Sequence, residues 1–301
     1  MVDLVQNAYQ FSFNALGGVC NIDVVGIEHS KELMLCAAAE VRRIETKYSR
    51  YIDSSIVGKI NAQAGLEWVT CDEETIGLLD YANTLYEHSG GLFDITSGVL
   101  RRFWDFSKNI VPAPEELKQI LALIGWSKFE RKGKKVRLKK KGMQIDLGGF
   151  GKEYAVDRVA TIFLENGVTS ALINFGGDVR ALGTKPDGQP WQIGIQDPRQ
   201  LDRCFATMSL SQGALATSGD YERFFEIGDK RYCHILNPKT GMPVSCWRSV
   251  TVLAPLASAA GATTTMAMLL EEQGLDYLQN SGFAFLAVDH SGEVFQGDQA
   301  L

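Results

Sequence analysis

The sequence predicts an α+β fold, with mixed or antiparallel sheets flanked by helices. Two observations predict it. Strand-like and helix-like segments are mixed without the regular alternation of a βαβ chain. No linker or internal repeat divides the 301 residues, which suffice for one large domain or two medium ones with a real core.

The elements follow from pattern. After strand-like "VCNIDVVGI", Leu33, Ala37, Val41 and Ile44 recur at helical spacing, predicting a helix over 31–48. Asp72 reads as the N-cap of a second helix carrying Ile76, Leu79, Ala82 and Tyr86, stopped by "SGG" at 89–91. "PEELKQILALIG" reads as a third helix. From residue 129 onward, "KVRLKKKGMQIDL", "SALINF", "WQIGIQ" and "SVTVLA" are strand candidates, interrupted by a helix over 153–165. "GLDYLQN" and "FAFLAVD" close the chain as helix and strand.

Composition excludes several function classes. With 45% hydrophobic and 22% charged residues the chain is ordinary for a globular protein, and a formal charge of -6 argues against general nucleic-acid binding. The basic run "RKGKKVRLKKKG" (131–142) is expected to be an exposed, solvated hairpin. Cysteines 20, 36, 71, 204, 233 and 246 form no CxxC pair, so reduced thiols and a cytoplasmic location are expected. The N-terminus lacks the basic start and apolar run of a secretory signal, and no stretch reaches membrane-span length.

The chemistry concentrates at glycine junctions. "IDLGGFGKEYAVD" (145–157) runs from a strand candidate into a helix, where glycines let backbone approach a ligand and free N–H groups face it; Lys152 adds a cation. The same run reads equally as a tight turn. As a dinucleotide fingerprint it lacks the third glycine and lies mid-chain. "NFGGDVRALG" (174–183) presents Asp178 at a second junction, which taken alone reads as a turn. In "SGGLFDITSGVLRRFWDF", Phe93, Phe103, Trp104 and Phe106 fit either core or an aromatic pocket for a flat ring. "ATSGDYERFFEIGDKRYCHILNPKTGMPV" (216–244) reads as a hairpin delivering His234 ahead of a Pro-Gly turn. That histidine is a structural group, a phosphate ligand or a general acid or base.

Taken in order, "ALGG", "YSRYIDSSIVGKIN", "GLFDITSG", "IDLGGFGKEYAVD", "INFGGDV", "ATSGDY", "HILNPKTG" and "SVTVLAP" resemble the ApbE family of flavin transferases, over nearly the whole chain. The resemblance implies a single domain over 1–301, built as one body or as two closely packed lobes with an FAD cleft between them. It implies transfer of FMN from FAD to a threonine or serine of a target flavoprotein, with release of AMP. FAD binding without transfer, and hydrolysis of FAD by water, are the alternatives. The resemblance places Leu16, Tyr51, Leu92, Phe93, Asp94, Asp146, Lys152, His234 and Ile235 at FAD, and gives Lys152 and His234 the catalytic positions. It assigns Mg2+ to the Gly149 carbonyl, to residue 261 and to Thr265, an i, i+4 pair on one helix face. The family's aspartate at that place is Gly261 here, in "SAAGATTTMA". An aspartate at 261 is therefore expected to restore the missing ligand, whereas Thr263 and Thr264 are expected to serve packing or the helix start. Without that carboxylate, "SAAGATTTMA" also reads as a small-residue packing face.

Overall fold

A computed structural model describes residues 2–5, 8–26, 29–228 and 230–297. Strands β1 (Val2–Val5), β2 (Ala8–Ala15) and β3 (Gly18–Val25) lead into helix α1 (Ser30–Tyr48), whose buried face is Met34, Ala37, Ala38, Val41 and Ile44. Helix α2 (Ile56–Ala62) is capped by Ser55, whose Oγ accepts the Gly58 N–H. Strand β4 (Val69–Thr70) precedes α3 (Glu73–His88), which Asp72 caps as expected by accepting the Thr75 N–H. Gly90 and Gly91, at φ 59° and 85°, turn the chain after α3 in a conformation costly for any residue with a Cβ. A 3-10 turn (Ile95–Arg102) and α4 (Pro114–Leu121) follow.

Strands β5 (Phe129–Lys132) and β6 (Lys135–Leu138) form the basic hairpin, but only one face is solvated. Val136 and Leu138 are buried while the lysines face out, and β4 pairs with β6 as a third strand. The expected continuation of the strand through "MQIDL" does not form. The side chain of Asn61 takes the place of a neighbouring strand, its Oδ1 accepting the Ile145 N–H at 2.7 Å and its Nδ2 donating to the Ile145 carbonyl at 3.0 Å. The Asp146 N–H goes to the Ile95 carbonyl at 2.9 Å. Backbone groups need partners, not necessarily a ladder.

Helix α5 (Gly151–Glu165) then leads into β7 (Ala171–Phe175), β8 (Asp178–Leu182), β9 (Trp191–Gln196), β10 (Cys204–Leu210) and β11 (Gly213–Gly219). The hairpin β12 (Phe224–Ile227) and β13 (Lys230–Cys233) precedes β14 (Trp247–Ala254). Helices α6 (Ala257–Leu270) and α7 (Gly274–Asn280) and strands β15 (Ala284–Asp289) and β16 (Val294–Gly297) complete the order.

Nine strands make one sheet in the order β1-β2-β3-β7-β8-β11-β14-β15-β16. Every pairing between the described strands is antiparallel, which removes the dinucleotide-fold reading, since that fold needs a parallel sheet. Helices α1, α5 and α6 cover one face of this sheet. The other face at β8 and β11 is covered by the β9–β10 hairpin, where Trp191, Ile193 and Leu210 meet Val179, Ala181 and Leu215. The aromatic run resolves as core: Trp104 is buried, with Phe106, Phe225 and Tyr232 at ring distances of 6.1, 6.3 and 5.8 Å. That cluster is packed by its own rings, so it leaves no slot there for a flat ligand.

Period-2 strands meet period-4 helices at the centre of the helical face. Asp178 and Arg180 alternate with Val179 and Ala181 on β8, and both charged side chains point to α5. Arg180 pairs with Asp157 on α5. Asp157 also caps α6, its Oδ1 accepting from the Ala257 N–H at 3.0 Å and its Oδ2 from the Ser258 N–H at 2.9 Å. An anionic cap satisfies N–H groups that the helix itself cannot, and favours the positive helix end. Helix α6 is buried nearly all round, with Ala257, Ala260, Gly261 and Ala262 allowing close approach. Replacing Asp157 by alanine should lower stability by about 3 kcal/mol, since it removes the cap and leaves the Arg180 guanidinium unpaired in a mostly buried place. Urea denaturation of Asp157→Ala against the parent protein checks this.

Candidate active site

The site is assembled where the β2–β3 turn, the Ser49–Ser55 bend, the glycine junction before α5, the β7–β8 turn and the end of β13 converge. Leu16 sits in the two-residue turn between β2 and β3 with φ 56°, a left-handed conformation that is uncommon for leucine. Its N–H donates to Glu45 Oε1 at 2.7 Å, a bond that helps hold the strained turn in place. Leu92 and Ile235 are half-buried against the main core.

Tyr51 is 80% exposed and free to move onto a ligand, with the Arg50 guanidinium 5.7 Å from its ring centre. Arg50 is fixed from behind: it donates to the Gly98 carbonyl at 2.6 Å, to Asp146 Oδ2 at 3.1 Å and to Gln144 Oε1 at 2.8 Å. The other oxygen of Asp146 accepts the Gly148 N–H at 2.9 Å and shapes the glycine junction. Gly149 packs against the tip of the Phe93 ring, and a Cβ there would lie 2.9 Å from Phe93 Cζ. Any larger residue at that position would have to push the buried Phe93 ring aside.

Phe93 and Asp94 are buried rather than presented at the surface. Asp94 accepts from the Thr96 N–H and hydroxyl at 2.8 and 2.7 Å and so caps the 3-10 turn. Desolvation by burial raises its carboxyl above the usual range, against the Thr96 hydrogen bonds that lower it. Their side chains build the wall behind the junction.

Lys152 opens α5 and reaches the β7–β8 turn, with Nζ 2.9 Å from Asp178 Oδ2 and 3.4 Å from the Gly176 carbonyl. Desolvation acts to lower the lysine, but the Asp178 and Glu153 carboxylates outweigh it and raise it above the ordinary lysine value. It is therefore a fixed cation at neutral pH. Asp178 itself is buried, and desolvation raises it despite the lysine.

His234 follows directly on β13. Burial first, then the positive charges of Arg101, Arg223 and Lys152, press its imidazole down from 6.5 to about 3. Its Nδ1 is buried without a hydrogen-bond partner among the described residues. Arg101 is lowered by burial and feels Asp146, Arg223, Tyr51 and Arg50. The fold thus gathers Arg101, Arg223 and Lys152 around a neutral histidine, with Arg50 beside Arg101, a cationic place suited to a pyrophosphate.

Thr265 lies on the sheet-facing side of α6, where the Ser218 hydroxyl of β11 is 3.4 Å from its own and 2.9 Å from that of Thr264. Thr263 and Thr264 bond back to the Ala259 and Gly261 carbonyls, both at 2.9 Å, as packing hydroxyls do. The volume beside Gly261, where an aspartate is expected to restore a ligand, holds the side chain of Glu153. A Cβ at 261 would lie 2.4 Å from Glu153 Oε1 and 2.7 Å from its Cγ.

Sequence reasoning missed Arg50, Arg101, Arg223, Ser218 and Glu153. Glu153 was inside a quoted motif, and its signal was a carboxylate in the first turn of a glycine-led helix. The arginines had no spacing signal, because they come from separate segments. Among the described residues no helix is long and apolar enough to cross a membrane, and the described cysteines are free thiols.

Comparison with known proteins gives one consistent result. The ApbE family model matches residues 16–287. The FAD:protein FMN transferase of Treponema pallidum is 31% identical over 278 residues, covering 85% of this chain and 76% of that protein. The FAD:protein FMN transferase of Vibrio cholerae is 28% identical, covering 93% of this chain and 87% of that protein. Among solved structures, the ApbE protein of Thermotoga maritima matches with a TM-score of 0.89 at 34% identity over 97% of each chain. The apo form of the flavinyl transferase ApbE of Pseudomonas stutzeri matches with a TM-score of 0.87 at 28% identity, covering 99% and 97% of the two chains.

The depressed imidazole has a thermodynamic consequence. Between 6.5 and about 3 the unfolded chain takes up a proton at His234 that the folded chain refuses, so stability present at neutral pH is lost as pH falls through this window. His234→Gln should remove that component. Urea midpoints at pH 7 and pH 4.5 should show a smaller acid loss in the variant than in the parent protein.

Proposed function

The chain belongs to the ApbE family, and on that premise we propose that it is an FAD:protein FMN transferase, moving FMN from FAD to a threonine or serine hydroxyl of a flavoprotein and releasing AMP. The observation that carries this reading is the set of cations Arg101, Arg223 and Lys152 around a neutral His234, with Arg50 and the exposed ring of Tyr51 beside Arg101. The cations bind the pyrophosphate of FAD, and Tyr51 and Leu16 lie against the flavin side.

In the reaction the acceptor hydroxyl oxygen attacks the FMN-side phosphorus, the bond from that phosphorus to the bridging oxygen breaks, and AMP leaves with that oxygen. The pyrophosphate bound beside Arg101, Arg223 and Lys152 offsets the charges that press the His234 imidazole down, and the hydroxyl proton goes to that neutral imidazole. Lys152, held by Asp178, meets the charge that builds on the phosphoryl oxygens without having to reorganise.

A magnesium ion fits the donor set, which offers the Gly149 carbonyl, the Thr265 hydroxyl and a buried carboxylate oxygen of Glu153 that has no hydrogen-bond partner among the described residues. Bound there with water and phosphate oxygens, it would supply charge neutralisation at the pyrophosphate. The reduced thiols fit a cytoplasmic setting, and the continuous core from Phe11 to Ala287 fits one working domain.

The test is incubation with FAD, magnesium and a flavoprotein acceptor. A covalent mass increase of one FMN on the acceptor, with stoichiometric AMP, is expected; AMP without the mass increase would mean hydrolysis instead. Calorimetry should show tighter binding of FAD than of FMN or NADH. His234→Ala should reduce turnover more than about tenfold with little change in FAD affinity.

A further inference from the structure

The geometry points to Glu153 as the carboxylate of the magnesium site, supplied from α5 into the volume that the side chain of residue 261 would otherwise fill on α6. This inference rests on the magnesium reading above.

Three observations carry it. Glu153 is 8% exposed, and its Oε2 is buried with no hydrogen-bond partner among the described residues. A buried carboxylate oxygen left without a partner is costly, and a cation is the partner that best relieves it. Second, the carboxylate of Glu153 occupies the place of a residue-261 side chain: a Cβ built on Gly261 would lie 2.4 Å from Oε1, 2.7 Å from Cγ and 2.8 Å from Cδ. Gly261 is thus not a hole in the site. It is the clearance that admits a glutamate from the neighbouring helix.

Third, the helix register agrees. Asp157 holds the first N–H groups of α6 at Ala257 and Ser258. One turn toward the start of α5 is Glu153, and one turn further along α6 is Gly261, which are the two residues in contact. Another turn in the same antiparallel sense runs Thr265 of α6 toward the Gly149–Gly151 start of α5. Lys152 and the buried Asp178 lie beside it.

Two helices can supply one carboxylate in one volume, but not two. Gly261→Asp alone should therefore crowd Glu153 and lower the melting temperature, whereas the exchange Glu153→Ala with Gly261→Asp moves the carboxylate back to α6 without crowding.

The experiment titrates Mn2+ into FAD-loaded protein, follows the loss of the free-ion EPR signal, and displaces the ion with Mg2+. The parent protein should bind Mn2+ beyond what free FAD binds. Glu153→Gln, nearly the same shape, should weaken Mn2+ at least tenfold. The exchange variant should recover affinity to within about threefold of the parent. Melting temperatures give a second readout: Mn2+ should stabilise the FAD-loaded parent and the exchange variant more than Glu153→Gln. If the parent binds Mn2+ and Glu153→Gln binds it as tightly, the assignment of Glu153 is overturned while the magnesium reading stands. If the parent binds no Mn2+ beyond free FAD, the magnesium reading falls and this inference falls with it. Should the exchange variant not fold, the Glu153→Gln comparison decides alone.

Discussion

Asp157 stands on one helix and holds the start of another. Its carboxylate takes the first N–H groups of α6 and the Arg180 guanidinium of β8 together, so one residue joins α5, α6 and the central sheet. A free helix end would slide; a capped one has a fixed register. Everything that follows along the two helices inherits this register. One turn away it brings Glu153 to Gly261, and beyond that it carries Thr265 toward the glycine junction. Small residues on α6 make the approach close enough for the register to matter, because a glutamate reaches its place only where the facing residue has no side chain.

The electrostatics of the site are built against a cost. Asp178 and Glu153 are both buried, and burial raises both carboxyls; the charge of Asp178 raises Glu153 further, and that of Glu222 raises Asp178. Lys152 offsets part of this from the first turn of α5. On the other side, Arg101, Arg223 and Lys152 surround His234 and keep it neutral. The site is thus a field of separated charges, with cations around His234 on one side and buried carboxyls on the other. Such a site gives up some stability of the free protein for preorganisation, the usual direction of the trade at functional sites.

Local features were legible because their physics is local. The Asp72 cap, the helix over 31–48, the basic hairpin and the delivery of His234 just after a strand depend on residues within one or two turns of each other. The ordered glycine motifs carried the family for the same reason, each being a tight turn that only certain residues can make. The misread "MQIDL" shows the limit. Its apolar alternation is real, with Met143, Ile145 and Leu147 buried, but whether such a stretch becomes a strand depends on what lies beside it, and here that is an asparagine side chain.

By itself the sequence determined an α+β chain with glycine junctions at strand ends, a lone histidine beside a Pro-Gly turn, and a helix of small residues missing an aspartate. Only the tertiary structure decided that the Glu153 side chain lies where a residue-261 side chain would stand. Glu153 and Gly261 lie in separate motifs, and no periodicity along the chain relates them; they meet because two antiparallel helices are locked in register by a carboxylate and packed on one sheet. The same holds for the cations around His234, which come from a 3-10 turn, a hairpin loop and the start of α5. Charges act through space, and the distances between them are set by packing rather than by order in the chain.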